Sequence, residues 1–347
     1  MLLPASAGKQ VSLFKKLKQQ FMKRKLVQTG LIFSLFLFGC KKDMPSDLAT
    51  PMQSQTDPAA SAGARLGQCR LGSAFRDNAY GIFLKYNNRG LVSEWKQDYF
   101  DGMPFIENYT YDLFGRLKTS YATDNAVGQS YDVKYQYQGT RLIRQTVYLA
   151  GTNTKSNEFV NTYNSRGQIT RRSSTLYPVY CTFTYNLIGN NTQVDYYVDG
   201  SLYLKEEFTY RQFNRNPYLA AFGIPYVTSL YDFVFSKWWE TSDKFTIYDN
   251  GAATVIVDYD PASAQLTLGP QQYLTSVTNF DRVTQENTSA YFNFENCECT
   301  PGKTMNSLKT TPGSLSAKLV ALERFKRSFM TGNVLAIKAQ IANVLSK

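Results

Sequence analysis

The sequence predicts a mainly β protein: an array of antiparallel β-hairpins pairing into one long single-layer meander sheet, with a small cap insertion and short C-terminal helices. Three observations carry this. A tyrosine followed by Asn or Asp, with glycine four residues after the tyrosine, recurs at Tyr86–Gly90, Tyr111–Gly115, Tyr163–Gly167 and Tyr185–Gly189. Residues between these copies alternate apolar and polar, as in Tyr131, Val133, Tyr135 and Tyr137. Beyond Pro301 the apolar spacing changes from two to that of a helix.

Turn chemistry defines the repeat. Asn or Asp, here Asp112 in the second copy, bonds its own backbone two residues on, and Gly115, like Gly90, Gly167 and Gly189, supplies the positive φ that other residues resist. That is a hairpin corner with a glycine bulge, after which apolar residues resume at Leu91-Val92, Leu117 and Ile169. Two degenerate copies, at Tyr137-Gln138-Gly139 and at Tyr210, bring the tyrosine steps to 25, 26, 26, 22 and 25 residues. A fixed step of this size implies stacked supersecondary units, and about 25 residues holds two ordinary strands plus two turns.

The elements follow in chain order. Residues 1–39 read as a signal peptide: Lys23, Arg24 and Lys25 precede an apolar run from Leu26 to Phe38, and Met22 fits the start of such a leader. The run is shorter than the roughly 20 residues that a membrane span needs. Leu37-Phe38-Gly39-Cys40 resembles a bacterial lipobox, which makes Cys40 the lipidated first residue of the mature chain. Residues 40–66 hold hardly a large side chain and form a flexible tether. Residues 67–302 form the repeat sheet. Its period breaks around 217–243, where the aromatic stretch reads as a cap with some helix covering a face or edge of the sheet. Strands are expected to return at Phe245–Tyr248, Thr254–Tyr259, Tyr273–Thr278 and Ser289–Phe294. In the basic tail, residues 303–347, Leu315, Leu319, Leu322 and Phe329 share a helical face, and Val334, Ile337, Ile341, Val344 and Leu345 repeat the pattern. The tail lies on a membrane or partner, packs on the sheet as a terminal helical pair, or is a non-native extension; Lys326, within the apolar stripe, counts against a membrane.

The Tyr-Asp-x-x-Gly-Arg-Leu run from Tyr111 to Leu117 looks like the YD repeat of the RHS family. With Asn216-Pro217-Tyr218, Leu274-Thr275-Ser276-Val277-Thr278 and a closing strand ending at Cys297, the chain is similar over residues 69–300 to short YD-repeat lipoproteins of the Bacteroidota. The resemblance implies a fold and a cell-envelope address, lipid-anchored at the outer membrane. It supplies no catalytic residues.

Composition narrows the function. The net charge of +11 sits at the ends: residues 1–39 carry seven basic and no acidic residues, and 303–347 carry eight basic against Glu323, leaving 40–302 near neutral. A nucleic-acid partner, which needs a basic face on the docking domain, is not expected. The chain has no histidine, which removes histidine-assisted nucleophiles and imidazole metal ligands. No cofactor or metal is expected. Cys69, Cys181, Cys297 and Cys299 are candidates for a structural disulfide, with three pairings open. Asp195, Glu206, Glu207, Asp258 and Asp260 are the carboxylates a glycan-processing enzyme would draw on, but no spacing fixes a catalytic pair. The 25 Tyr and 23 Phe point instead to a non-catalytic surface or periplasmic lipoprotein. Its sheet would serve as a binding or scaffolding face for glycan, peptide or protein. A purely structural or adhesive role is the third alternative.

Overall fold

The computed structural model describes residues 69–76, 79–222, 236, 238–269, 273–295, 314–331 and 334–345. The leader, Cys40, the tether, Cys297 and Cys299 lie outside them. The mainly β, antiparallel architecture forms as expected. Its first strands are β1 (Arg70–Arg76), β2 (Tyr80–Tyr86), β3 (Val92–Asp98), β4 (Phe105–Tyr111), β5 (Leu117–Asp124) and β6 (Gln129–Gln138). There follow β7 (Arg141–Leu149), β8 (Lys155–Tyr163), β9 (Ile169–Ser174), β10 (Val179–Tyr185), β11 (Asn191–Val198) and β12 (Ser201–Arg215). After helix α1 (Tyr218–Phe222) come β13 (Trp238–Asp249), β14 (Ala252–Asp258), β15 (Gln265–Leu268), β16 (Leu274–Asp281) and β17 (Glu286–Glu295). Helices α2 (Ser314–Thr331) and α3 (Val334–Leu345) end the chain.

Strands β1 to β14 pair in sequence order, each antiparallel to the next, while β17, β16 and β15 extend the sheet on the other side of β1. The sheet is not flat. An antiparallel bridge joins Tyr259, just past β14, to Asp281 at the end of β16. Two backbone hydrogen bonds, Asp260 N to Phe280 O and Arg282 N to Asp258 O, both 2.9 Å, reinforce it. The sheet therefore rolls until its flanks meet, separating an inner from an outer face.

Helix α2 occupies the inner face. Its Lys326 Nζ lies 2.7 Å from Glu206 on β12, whereas the neighbouring Arg327 lies 3.6 Å from Asp124 at the end of β5. In a flat sheet those strands would be about 34 Å apart, at about 4.8 Å per strand. A helix is only about 10–12 Å across, so consecutive residues reach both because the sheet curls around them. Leu319, Leu322, Phe325 and Phe329 are buried, and Phe329 packs edge-on against Tyr196 of β11 at 5.2 Å. Helix α1 enters from the opposite mouth. Its Tyr218 and Phe222 pack on Trp95, with Tyr109, Trp239 and Phe292 around them. Asn216 Oδ1 accepts from Tyr218 N at 3.0 Å, which caps this short helix.

Two expectations need correction, and the disulfide candidates are narrowed. Tyr210 closes no hairpin, because β12 runs unbroken through it to Arg215. Strand β13 starts at Trp238 rather than Phe245, because its inward positions Thr241 and Asp243 are polar and hide the alternation. Cys181 is a free thiol buried on β10, facing the rolled interior, whereas Cys69 is disulfide-bonded to a partner outside the described residues.

Candidate functional site on the outer face

The repeat turns build the frame. In each full copy the Asn or Asp N–H donates to the carbonyl four residues on, and the glycine N–H donates back to the Asn or Asp carbonyl, as in Asp112 N to Arg116 O (2.9 Å) and Gly115 N to Asp112 O (3.1 Å). In the first three copies the side-chain oxygen accepts two further amides, as Asp112 Oδ1 takes those of Phe114 and Arg116, and Asn164 Oδ1 those of Arg166 and Gln168; Asn186 Oδ1 takes that of Asn190. Gly90, Gly115, Gly167 and Gly189 have φ of 72°, 77°, 78° and 93°.

The tyrosines join one repeat to the preceding one. Tyr111 Oη donates to Val92 O (2.7 Å), Tyr163 to Leu142 O (2.6 Å), Tyr185 to Ile169 O (2.9 Å) and Tyr86 to Leu71 O (2.6 Å). Each bond reaches the first or second residue of a neighbouring strand. The residue that follows a turn reaches the next turn in the same manner: Arg116 donates to Gly139 O and Gln168 to Gly189 O. Sequence periodicity located these residues but gave no sign of this ladder, which exists only between repeats.

The inner face is packed, and buried polar groups lie among its apolar core. Glu107, Ser120 and Tyr135 share hydrogen bonds, and Arg172 lies against Phe159, Asn161 and Gln145. Burial pushes the Cys181 thiol up to about 12, so it is a protonated space-filler and no nucleophile. Where the flanks meet, a cavity of about 20 Å³ is lined by Arg76, Glu240, Asp243 and Trp239. Burial and the charge of Asp243 raise the Glu240 carboxyl to about 8, and Asp243 is itself raised by burial although Arg76 lies 3.5 Å away. Such a space admits about one water and no sugar ring.

The carboxylates named from the sequence do not converge. Glu206 points inward to Lys326, while Asp195 accepts from Gln193 and, pairing with Lys205 one residue out of step with Glu206, lies on the opposite face. Glu207, next to Glu206, also takes the outer side. Asp258 pairs with Arg282, and Asp260 caps a turn through Ala262 N. Asp199-Gly200 and Asn250-Gly251 form two-residue turns, with φ positive at all four residues. Among the described residues no acidic or cysteine cluster is arranged to hold a metal ion.

An open groove, of about 380 Å³, crosses the outer face of β4 to β7. Its register places Asn108, Tyr121, Asp132 and Tyr148 in one transverse row, because each is the cross-strand partner of the next. Beside it runs a second row, Thr110, Thr119 and Lys134. The two threonine hydroxyls are 2.6 Å apart, and Lys134 Nζ sits 5.0 Å above the Tyr148 ring. Asp132 accepts from Gly151 N at 3.2 Å, which fixes the β7–β8 turn at the end of the groove. Tyr121 keeps 45% of its surface exposed. The two tyrosines stand two strands apart, about 10 Å, with the carboxylate between them. This is an arrangement for a polar ligand with flat apolar faces: rings to stack on, and donors and acceptors alongside. Lys118, Lys134, Gln136 and Thr162, all exposed, keep the outer face polar, the reverse of a lipid-facing apolar band.

No family model matches the chain. No curated protein matches it. Among solved structures it is similar to a porin-like protein from Bacteroides uniformis, at 12% identity over 65% of this chain and 96% of that one, TM-score 0.42. A porin-like protein from Bacteroides vulgatus aligns at 10% identity over 64% and 97%, TM-score 0.31. The complex TcdB2-TccC3 without its hypervariable C-terminal region aligns at 14% identity over 60% of this chain and 9% of that one, TM-score 0.18. All three lie below the level at which a shared fold follows.

Proposed function

We propose that this is a non-catalytic, lipid-anchored cell-envelope protein of the YD-repeat kind whose outer sheet face binds an extended glycan. The observation that carries the reading is the row Asn108, Tyr121, Asp132 and Tyr148 along an open groove drawn from four successive strands. Tyrosine rings offer a sugar its apolar face, and the amide, carboxylate, hydroxyls and ammonium beside them match its hydroxyl rim. The anchor rests on Cys40 after its apolar leader, and the tether lets the sheet stand off the membrane. The outer membrane is the address that reading favours.

The carboxylate enzyme remains the alternative to exclude. Its best-placed pair, Glu240 and Asp243, borders a cavity sized for about one water. The test is a glycan array probed with the chain carrying Cys40→Ala, beside the Tyr148→Ala and Asp132→Ala forms and a hydrolysis screen. Binding that both groove substitutions abolish supports the reading. Turnover lost on a single Asp or Glu substitution sinks it, and silence in both assays leaves the scaffold role.

A further inference from the structure

The two rims of the rolled sheet differ in charge, while both carry exposed apolar tips, among them Phe100, Val127 and Leu176 on one and Leu113 and Leu187 on the other. In an antiparallel meander alternate turns fall at the same end, so the Tyr-Asn/Asp turns form one rim; the bonds from Arg89 to the Asp112 and Leu113 carbonyls and from Arg116 to Gly139 run along it. The opposite rim carries Asp98, Asp101, Asp124, Asp199, Asp249 and Glu286 against Arg76, Lys155 and Arg282. The basic helices sit there: Arg324 pairs with Asp101, Arg327 lies beside Asp124, and Lys338 Nζ is 3.5 Å from Asp199. Three of the tail's cations thus lie against carboxylates of this rim.

The turn rim is the reverse. Arg70, Arg89, Arg116, Arg141 and Arg166 ring it, beside Asp112, which pairs with Arg116, and Glu295. Two of its turns end in apolar pairs that stay exposed among the described residues: Leu113 is 91% and Phe114, under the Arg116 guanidinium, 52% exposed, and Leu187 is 90% and Ile188 58% exposed. These pairs stand six strands apart, on two well-separated arcs of the rim. The chain also enters here, because Arg70, the first residue of β1, lies against Tyr86 at the first turn.

We infer that this rim docks on an anionic phospholipid surface, the leucine, isoleucine and phenylalanine tips entering the interface and the arginines meeting headgroup phosphates. Apolar side chains flanked by basic ones are what peripheral membrane binding requires, and each cation near an anionic leaflet strengthens it several-fold. The inference rests on the proposed anchor in one respect: a lipid on Cys40 places the bilayer on the side where the chain enters the sheet. Docking then holds the groove on the wall beside the membrane, facing along it.

Flotation with vesicles tests this, using the Cys40→Ala chain so that no lipid contributes. The expected result is capture by vesicles of three parts phosphatidylcholine to one part phosphatidylglycerol, weakened by salt, with little capture by phosphatidylcholine alone. Leu113→Ser with Leu187→Ser, or Arg141→Gln with Arg166→Gln, should lower capture at least about fivefold. Val127→Ser, an exposed change on the opposite rim, should leave it unaltered. Unchanged melting temperatures show that the variants fold. Capture by neither vesicle, equal capture by both, or no loss in the rim variants overturns the inference. Fatty-acid labelling of the wild-type chain reads the anchor separately: label without flotation removes the docking alone, and flotation without label removes the anchor alone.

Discussion

Replacing Lys326 by methionine is the most direct probe of how the sheet and its helix hold each other. The ammonium lies 2.7 Å from Glu206, whose side chain is 4% exposed, and 3.5 Å from Glu323. Methionine preserves most of the stem and its packing, so the change removes charge more than volume. It leaves Glu206 buried without its cation, and breaking one partner of a buried pair costs about 3–5 kcal/mol. The cost should depend on pH. Burial already raises the Glu206 carboxyl above its usual range even with Lys326 present, and losing the ammonium raises it further. A group with a raised folded pKa favours the folded state at low pH and loses that contribution as pH rises towards the folded value. The penalty of Lys326→Met should therefore be largest at pH 8 and shrink towards pH 5, as Glu206 takes up a proton. Adding Glu206→Gln to Lys326→Met should recover most of the loss at pH 8. Urea denaturation at both pH values, for the two single variants and the double, measures all of this. A Lys326→Met protein as stable as wild type at pH 8 would refute the seating of α2 inside the sheet.

Glu240→Gln should stabilise at high pH. Its carboxyl titrates at about 8 in the folded chain against about 4.3 unfolded, so stability falls as pH rises through that window. The gain in urea denaturation at pH 8 over pH 5 is at most about 5 kcal/mol, and equal gains at both would show that the carboxyl is not buried as described. Tyr111→Phe deletes the hydroxyl that holds Val92 O and should cost about 0.5–1.5 kcal/mol. The exposed Tyr121→Phe is its control, and equal melting temperatures would remove the inter-repeat ladder. Gly115→Val forces a β-branched residue to φ 77° and should cost at least about 1 kcal/mol more than Gly63→Val in the proposed tether. Cys40→Ala should abolish fatty-acid labelling and membrane fractionation, and an unlabelled wild type would end the lipoprotein reading.

The sequence alone determined what is local. Tyrosine, Asn or Asp and glycine at fixed offsets specify a turn through short-range sterics and side-chain-to-backbone bonds, so hairpins and their step were legible without coordinates. Alternation gave most strands for the same reason, and failed at β13 where Thr241 and Asp243 face inward. Helical spacing gave α2 and marked Lys326 as out of place on it. What answered that misfit lies 120 residues away, in Glu206 on β12. The rolling of the sheet, the seam at Arg76 and Asp243, the two charged rims, and the row of Asn108, Tyr121, Asp132 and Tyr148 depend on register and on the accumulated twist of many strands. Register shifts at nearly every repeat turn, as between Thr110 and Tyr111, and such a shift changes which side chains share a row. A single sequence records each strand's faces but not that sum, so the groove and the rims emerged only when the strands were set side by side.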